Sequence, residues 1–137
     1  MRAVWYEQAG AAADVLTVGE MDTPTPGPNE VLVRVYASGV NPTDVKARAK
    51  GQGLDRLGWI IPHNDGAGVV EAVGAGVDTG RVGQRVWTYG ATGSRSTGTC
   101  AEYTLLPAEQ AVPLPDAADF AAGACMGIPA MTAHFGV

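Results

Sequence analysis

Apolar and polar positions alternate most cleanly over residues 30–37. Val31, Val33, Val35 and Ala37 fall on one face there, with Leu32, Arg34, Tyr36 and Ser38 on the other. That is the period of a half-buried strand. Shorter apolar stretches at 3–6 and 15–18 predict an opening strand pair, and 68–73, 85–89 and 100–106 predict three more strands. In the last of these, Ala101, Tyr103 and Leu105 alternate with Glu102 and Thr104. Residues 21–28 hold Pro24, Pro26 and Pro28, which lack the N–H that a central strand must donate, so the segment reads as a connector.

The period changes at Asn41-Pro42-Thr43-Asp44. Asn is a good N-cap, Pro suits the first helical position, and Asp44 complements the helix dipole. A short helix follows to Lys50, ended by Gly51 and Gly53, and residues 51–62 read as a loop carrying Trp59, Ile60 and Ile61. Residues 90–99 are rich in Gly, Ser and Thr and predict a mobile loop. Val112-Pro113-Leu114-Pro115 closes the β-rich part. Asp116 then reads as the cap of a helix with Asp119 in its first turn. Pro129 interrupts that run, so 131–135 predicts a second helix. About six short strands separated by Gly/Pro turns, with few helices, predict a mainly β fold: a small, partly open barrel.

Composition narrows the function. Only 17% of residues are charged and the net charge is -5, with no cluster of Lys or Arg, so nucleic acid and anionic lipid are poor partners. Arg56, Arg81, Arg85 and Arg95 are scattered and read as solvated surface. Cys100 and Cys125 form no Cys-x-x-Cys pair and no disulfide framework, which suits free thiols in a reducing compartment. The chain opens directly on strand-like residues, and no apolar run reaches membrane-spanning length. The expected location is cytoplasmic.

Two glycine runs invite a false assignment. Gly66-Ala67-Gly68 and Gly74-Ala75-Gly76 each have two of the three glycines of a dinucleotide fingerprint. A phosphate loop follows a strand and opens a helix. These glycines instead flank the strand Val69-Val70-Glu71-Ala72-Val73, so they read as strand-entry and turn positions.

Five motifs occur in order: Ser38-Gly39-Val40-Asn41-Pro42-Thr43-Asp44, Asp65-Gly66-Ala67-Gly68-Val69-Val70-Glu71-Ala72-Val73-Gly74, Gly83-Gln84-Arg85-Val86, Ala101-Glu102-Tyr103 and Gly127-Ile128-Pro129-Ala130-Met131-Thr132-Ala133. Together they resemble the N-terminal, GroES-like catalytic domain of the medium-chain dehydrogenase/reductase superfamily, and most of all its zinc-free quinone oxidoreductase branch. The resemblance implies a catalytic domain over 1–125 and, over 126–137, the start of a helix toward a nucleotide-binding domain not contained in these residues. It also implies a homodimer in the full-length protein. The cofactor it implies is NADPH, with NADH open, and the substrate a small quinone or enone.

By the same resemblance, zinc-dependent relatives have Cys where this chain has Asn41 and His where it has Asn64, and their four-cysteine lobe is missing here. His63 stands one position early, which on a strand points to the opposite face. No zinc is therefore expected. Without a Lewis acid, a site of amides, hydroxyls and ammonium groups suits acceptors that are already electron-poor.

The resemblance assigns Asn41 to the cleft beside nicotinamide and substrate. Local sequence alone favours a plain helix cap for Asn41, and the resemblance reverses that preference. Lys46 stands where many quinone oxidoreductases have a tyrosine touching cofactor or substrate; it keeps a donor and loses the ring. Thr132 matches a threonine on the nicotinamide side of the cofactor. Thr43, Asp65, Tyr89 and Arg95 are the remaining cleft candidates, Asp65 mainly as an anchor. Two alternatives to the reductase stay open: a non-catalytic GroES-like binding or scaffold module, and one half of a split two-chain reductase.

Overall fold

The computed structural model describes residues 1–137 throughout. Seven strands form two separate sheets. Strands β1 (Arg2–Trp5) and β2 (Thr17–Glu20) pair antiparallel in one. Strands β3 (Glu30–Gly39), β4 (Asp65–Val73), β5 (Arg85–Thr88), β6 (Tyr103–Pro107) and β7 (Ala111–Pro113) form the other, in the order β6-β3-β4-β5-β7. Every pairing in it is antiparallel, and β6 and β7 remain as edges, so the barrel is not closed. The chain is mainly β with short helices, as the residue pattern predicts.

Helices α1 (Ala12–Val15), α2 (Pro42–Lys50), α3 (Leu54–Leu57), α4 (Phe120–Gly123) and α5 (Ile128–Phe135) lie between or after the strands. Helix α2 begins and ends where its punctuation predicts. Pro42 starts it, and Gly51 closes it in the left-handed region at φ 65°, a conformation that costs glycine no steric strain.

Val31, Val33, Val70, Val86, Leu106 and Ala111 form the main core, all essentially without solvent exposure. Each of the larger aliphatics there contributes about 1.5–3 kcal/mol relative to an exposed position. Tyr6, Val15 and Ile60 form a second, smaller cluster with Leu16, Leu54 and Leu57 packed against it.

Several elements differ from the pattern's expectation, each for a physical reason. Strict alternation in β3 fails because register shifts fall between Leu32 and Val33 and between Val35 and Ala37, so Val31, Leu32 and Val33 are all buried. The strand expected at 15–18 starts at Thr17, because the alanine-rich run before it winds into α1 and places Val15 in the small core. The loop expected at 51–62 contains α3. Asp119, not Asp116, caps the helix after the sheet: its carboxylate accepts from Ala122 N–H at 2.7 Å. Pro129 lies in the first turn of α5, where a missing N–H costs nothing, so the second helix starts at Ile128 rather than 131.

Two arginines expected at the solvated surface are structural instead. Arg81 donates to Gln84 and to the carbonyls of Ala108 and Ala111. Arg85 donates to the carbonyls of Ala118 and Pro115 and stacks 4.8 Å above the Phe120 ring. Tyr36 also stacks with Phe120, ring centroids 4.7 Å apart, which ties α4 to β3.

Glycine is required where β3 and β4 approach. A Cβ on Gly68 would stand 1.9 Å from the Arg34 carbonyl oxygen. Gly66 and Gly68 lie within β4, which starts earlier than its apolar run predicts, while Gly74 and Gly76 fall in the turn after it, as read from the sequence. No helix is long and apolar enough to cross a membrane.

Candidate active site

A cleft of about 370 Å³ opens between α2, α3, the segment 60–64 and the loop 90–99. Its wall is polar: Thr43, Asp44, Gln52, Arg56, His63, Asn64, Thr92 and Arg95 line it, with Tyr6, Leu57 and Ile60 at its apolar side. The loop 90–99 is not a loose flap. Ala91 N–H donates to the Asn64 carbonyl, Ile61 N–H to Ser96, Gly98 N–H to Ile61 and Thr99 N–H to His63. Those bonds hold the loop against 61–64, contrary to the mobility its composition suggests.

Asp44 organises the cleft floor. One carboxylate oxygen accepts from the Asn41 backbone N–H at 2.8 Å and the other from Asn64 Nδ2 at 3.0 Å. Asn41 and Asp44 thus form the capping box of α2, although the reciprocal approach of the Asn41 side chain falls short of hydrogen-bond geometry. Asn64 in turn accepts from the Thr92 hydroxyl at 2.6 Å, which fixes its amide orientation and ties the loop to the helix.

Beneath this lies Asp65, fully enclosed at the start of β4. Its Oδ2 accepts from Asn41 Nδ2 at 2.8 Å and from Ile128 N–H at 2.9 Å. Its Oδ1 has no partner. Burial raises the Asp65 pKa above the ordinary carboxylate value, partly offset by the Asn41 and Ile128 donors. Gly127 packs so closely that an added Cβ would be 2.2 Å from Oδ1. Asp65 therefore joins three elements: the start of β4, the cap of α2 and the first turn of α5.

The expected site residues separate in space. Thr43 and Arg95 lie on the cleft wall. Asn41 is buried beside it, one carboxamide N–H committed to Asp65 and the second free. Arg95 also donates to Gln110 and lies 3.9 Å from Glu30. Tyr89 packs on Trp87 with ring centroids 5.8 Å apart and is not among the residues lining the cleft. Lys46 is exposed on the outer side of α2, with no ion pair. Thr132 sits on exposed α5, in a shallow groove with Ile128, Met131 and Phe135. Motif reading weighed His63 and Asn64 only as positions where zinc ligands are lacking, and it missed Thr92. Asn64 meets Asp44 on one side and Thr92 on the other, contacts across the fold that spacing alone does not encode.

Metal donors do not converge. No group of three or more His, Cys, Asp and Glu side chains is placed to hold an ion. Asn41 and Asn64 supply neutral amides, which are not among the imidazole, thiolate and carboxylate ligands that tetrahedral zinc takes. The residues present do not fit a zinc centre.

The alcohol dehydrogenase GroES-like domain family matches residues 27–116. Pig quinone oxidoreductase is 41% identical over 110 residues, covering 80% of this chain and 32% of the relative. The trans-enoyl reductase tazE of Aspergillus terreus is 36% identical over 125 residues, covering 86% and 41%. Among solved structures, a putative NADPH:quinone reductase from Bacillus thuringiensis superposes with a TM-score of 0.85 at 31% identity, covering 97% and 39%. A mycobacterial protein solved with NADPH gives 0.83 at 27%, covering 98% and 40%. A cobalt- and zinc-bound alcohol dehydrogenase from Pyrobaculum aerophilum gives 0.78 at 32%, covering 94% and 44%. This chain belongs to the medium-chain dehydrogenase/reductase superfamily and carries its GroES-like domain. It spans about two fifths of the length of most of these relatives.

Proposed function

We propose that this chain is the substrate-side part of an NADPH-dependent, zinc-independent oxidoreductase that reduces quinones or α,β-unsaturated carbonyls. The observation that carries the reading is the chemistry of the cleft. Amides, hydroxyls and guanidinium groups meet there, and no set of metal donors does. Such donors stabilise developing negative charge on oxygen, though less strongly than a Lewis acid, which favours electrophiles that need little activation. Relatives named quinone oxidoreductase and trans-enoyl reductase support the same acceptor class.

Bound NADPH supplies the hydride. The chain's own residues bind and orient. Asn41 offers its free N–H to the acceptor oxygen, and its other N–H on Asp65 holds the carboxamide in place. Thr43 and Arg95 border the acceptor, while Thr132 on α5 faces the nicotinamide side. Lys46, exposed and unpaired, is available to an anionic group of the cofactor. Asp65 acts as anchor. Residues 1–125 form the substrate domain and 126–137 the start of the connection. No phosphate cradle is present: Gly66 and Gly68 lie in β4, and Gly74 and Gly76 lie in the turn after it. The isolated 137 residues are accordingly expected to be inactive.

The test is a rate measurement on the complete polypeptide that carries this domain. NADPH oxidation with 1,4-benzoquinone or an enone is expected, with little turnover of a primary alcohol and NADP⁺. The opposite preference would refute the proposal.

A further inference from the structure

His63, one position early for a zinc ligand by motif, is half-buried and has a specific geometry. It occupies the left-handed region at φ 76°, where a side chain is strained, and Thr99 N–H donates to its carbonyl at 3.0 Å. A row of hydroxyls ties its ring. His63 Nδ1 lies 2.9 Å from Ser38 Oγ, Ser38 Oγ lies 2.8 Å from Thr99 Oγ1, and Thr99 Oγ1 lies 2.6 Å from the Asp65 carbonyl oxygen.

Counting protons gives each bond a direction. A carbonyl oxygen only accepts, so Thr99 commits its one hydroxyl proton to Asp65. Ser38 must then donate to Thr99. The Ser38 oxygen has only lone pairs left for the ring, so His63 carries its proton on Nδ1. Burial lowers the His63 pKa against the opposing field of Asp44 on α2, so the ring is uncharged at neutral pH. Arg48, beside Asp44 and His63 in a neighbouring crevice, and Arg56 and Arg95 across the cleft add no proton acceptor.

His63 Nε2 is therefore a bare lone pair. It makes no hydrogen bond within the protein, yet it is not sealed off: the one enclosed side-chain N or O atom without a partner is Asp65 Oδ1. His63 lines the cleft. The carboxylate there, Asp44, already receives Asn41 N–H and Asn64 Nδ2.

We propose that His63 Nε2 is a fixed hydrogen-bond acceptor in the cleft, held in one tautomer by Ser38 and Thr99, and that it binds the hydroxyl of a phenolic ligand such as a hydroquinone. The ligand class rests on the reductase reading, because a quinone offers only acceptors whereas its reduced form offers O–H donors. The tautomer does not depend on that reading.

The experiment is imidazole ¹⁵N NMR on the 137-residue chain, which contains two histidines, His63 and His134. His63 is expected to show the Nδ1–H form at neutral pH, and Ser38→Ala to move it toward Nε2–H. Added 1,4-hydroquinone should shift the Nε2 resonance at least tenfold more readily than 1,4-dimethoxybenzene, which has the same ring and no donor. An Nε2–H tautomer in the unsubstituted chain, or an equal response to both ligands, overturns the proposal. Neither result depends on turnover, so a complete enzyme that fails to reduce quinones would sink the reductase reading alone.

Discussion

Asn41 donates its carboxamide N–H to the Asp65 carboxylate at 2.8 Å, with both residues buried and 24 positions apart in the chain. That bond sets the cap of α2 against the start of β4, and Ile128 N–H on the same oxygen brings in α5. A cap and a ligand-facing amide are thereby compatible in one residue: the backbone N–H serves the box, one side-chain N–H serves Asp65, and one stays free.

Asn41→Ala removes a donor from a buried carboxylate. It should cost about 1–3 kcal/mol of stability by chemical denaturation. In the complete enzyme, kcat/KM should fall by about tenfold to a hundredfold. A loss of stability with unchanged kcat/KM would leave Asn41 purely structural.

Asp65 predicts a specific pH dependence. Its native pKa is raised above the ordinary value of 3.8, so the native state binds the proton more tightly than the unfolded chain. Its contribution to stability is full below 3.8 and is lost as pH rises through the higher native value. Comparing denaturation of the parent and Asp65→Asn across that range isolates the effect. The parent should lose stability relative to the variant as pH rises, and a difference constant with pH would contradict the assignment.

Gly127→Ala introduces a Cβ 2.2 Å from Asp65 Oδ1, at a residue whose φ of -71° is not left-handed. That contact should cost about 1–3 kcal/mol. Gly58→Ala places its Cβ in open space but at φ 76°, and separates the two causes. Amide exchange should show α5 loosened by the first substitution and not by the second.

Arg81→Ala leaves the carbonyls of Ala108 and Ala111 without their guanidinium donor. The predicted cost is about 2 kcal/mol, and Arg81→Lys should recover only part of it, because one ammonium cannot reproduce the fork. Thermal melts of the two variants decide this.

Elements announced by local chemistry were legible from residues alone. Asn41-Pro42 and Gly51 bound α2, and the glycines around 66–76 belong to strands and turns. What residue order did not reveal arises across the fold. The bulges in β3 depend on how β4 pairs with it. The cap of α4 is Asp119 because Arg85 reaches Pro115 and Ala118 and fixes the approach. The site was legible in part. Thr43 and Arg95 line one cleft, with Asn41 and Asp65 buried beside it, while Lys46, Tyr89 and Thr132 lie away from it in this chain. His63 and Asn64 stand beside α2 after a left-handed backbone at His63, and Thr92 joins them across the fold through its bond to Asn64; no motif spacing carries that information.

The most direct test of hydride acceptance without a metal combines metal analysis with kinetics on the complete enzyme. The account predicts far less than one transition-metal ion per chain and quinone reduction unaffected by a strong chelator. One tightly held ion per chain, with activity lost on its removal and restored by zinc, would contradict it.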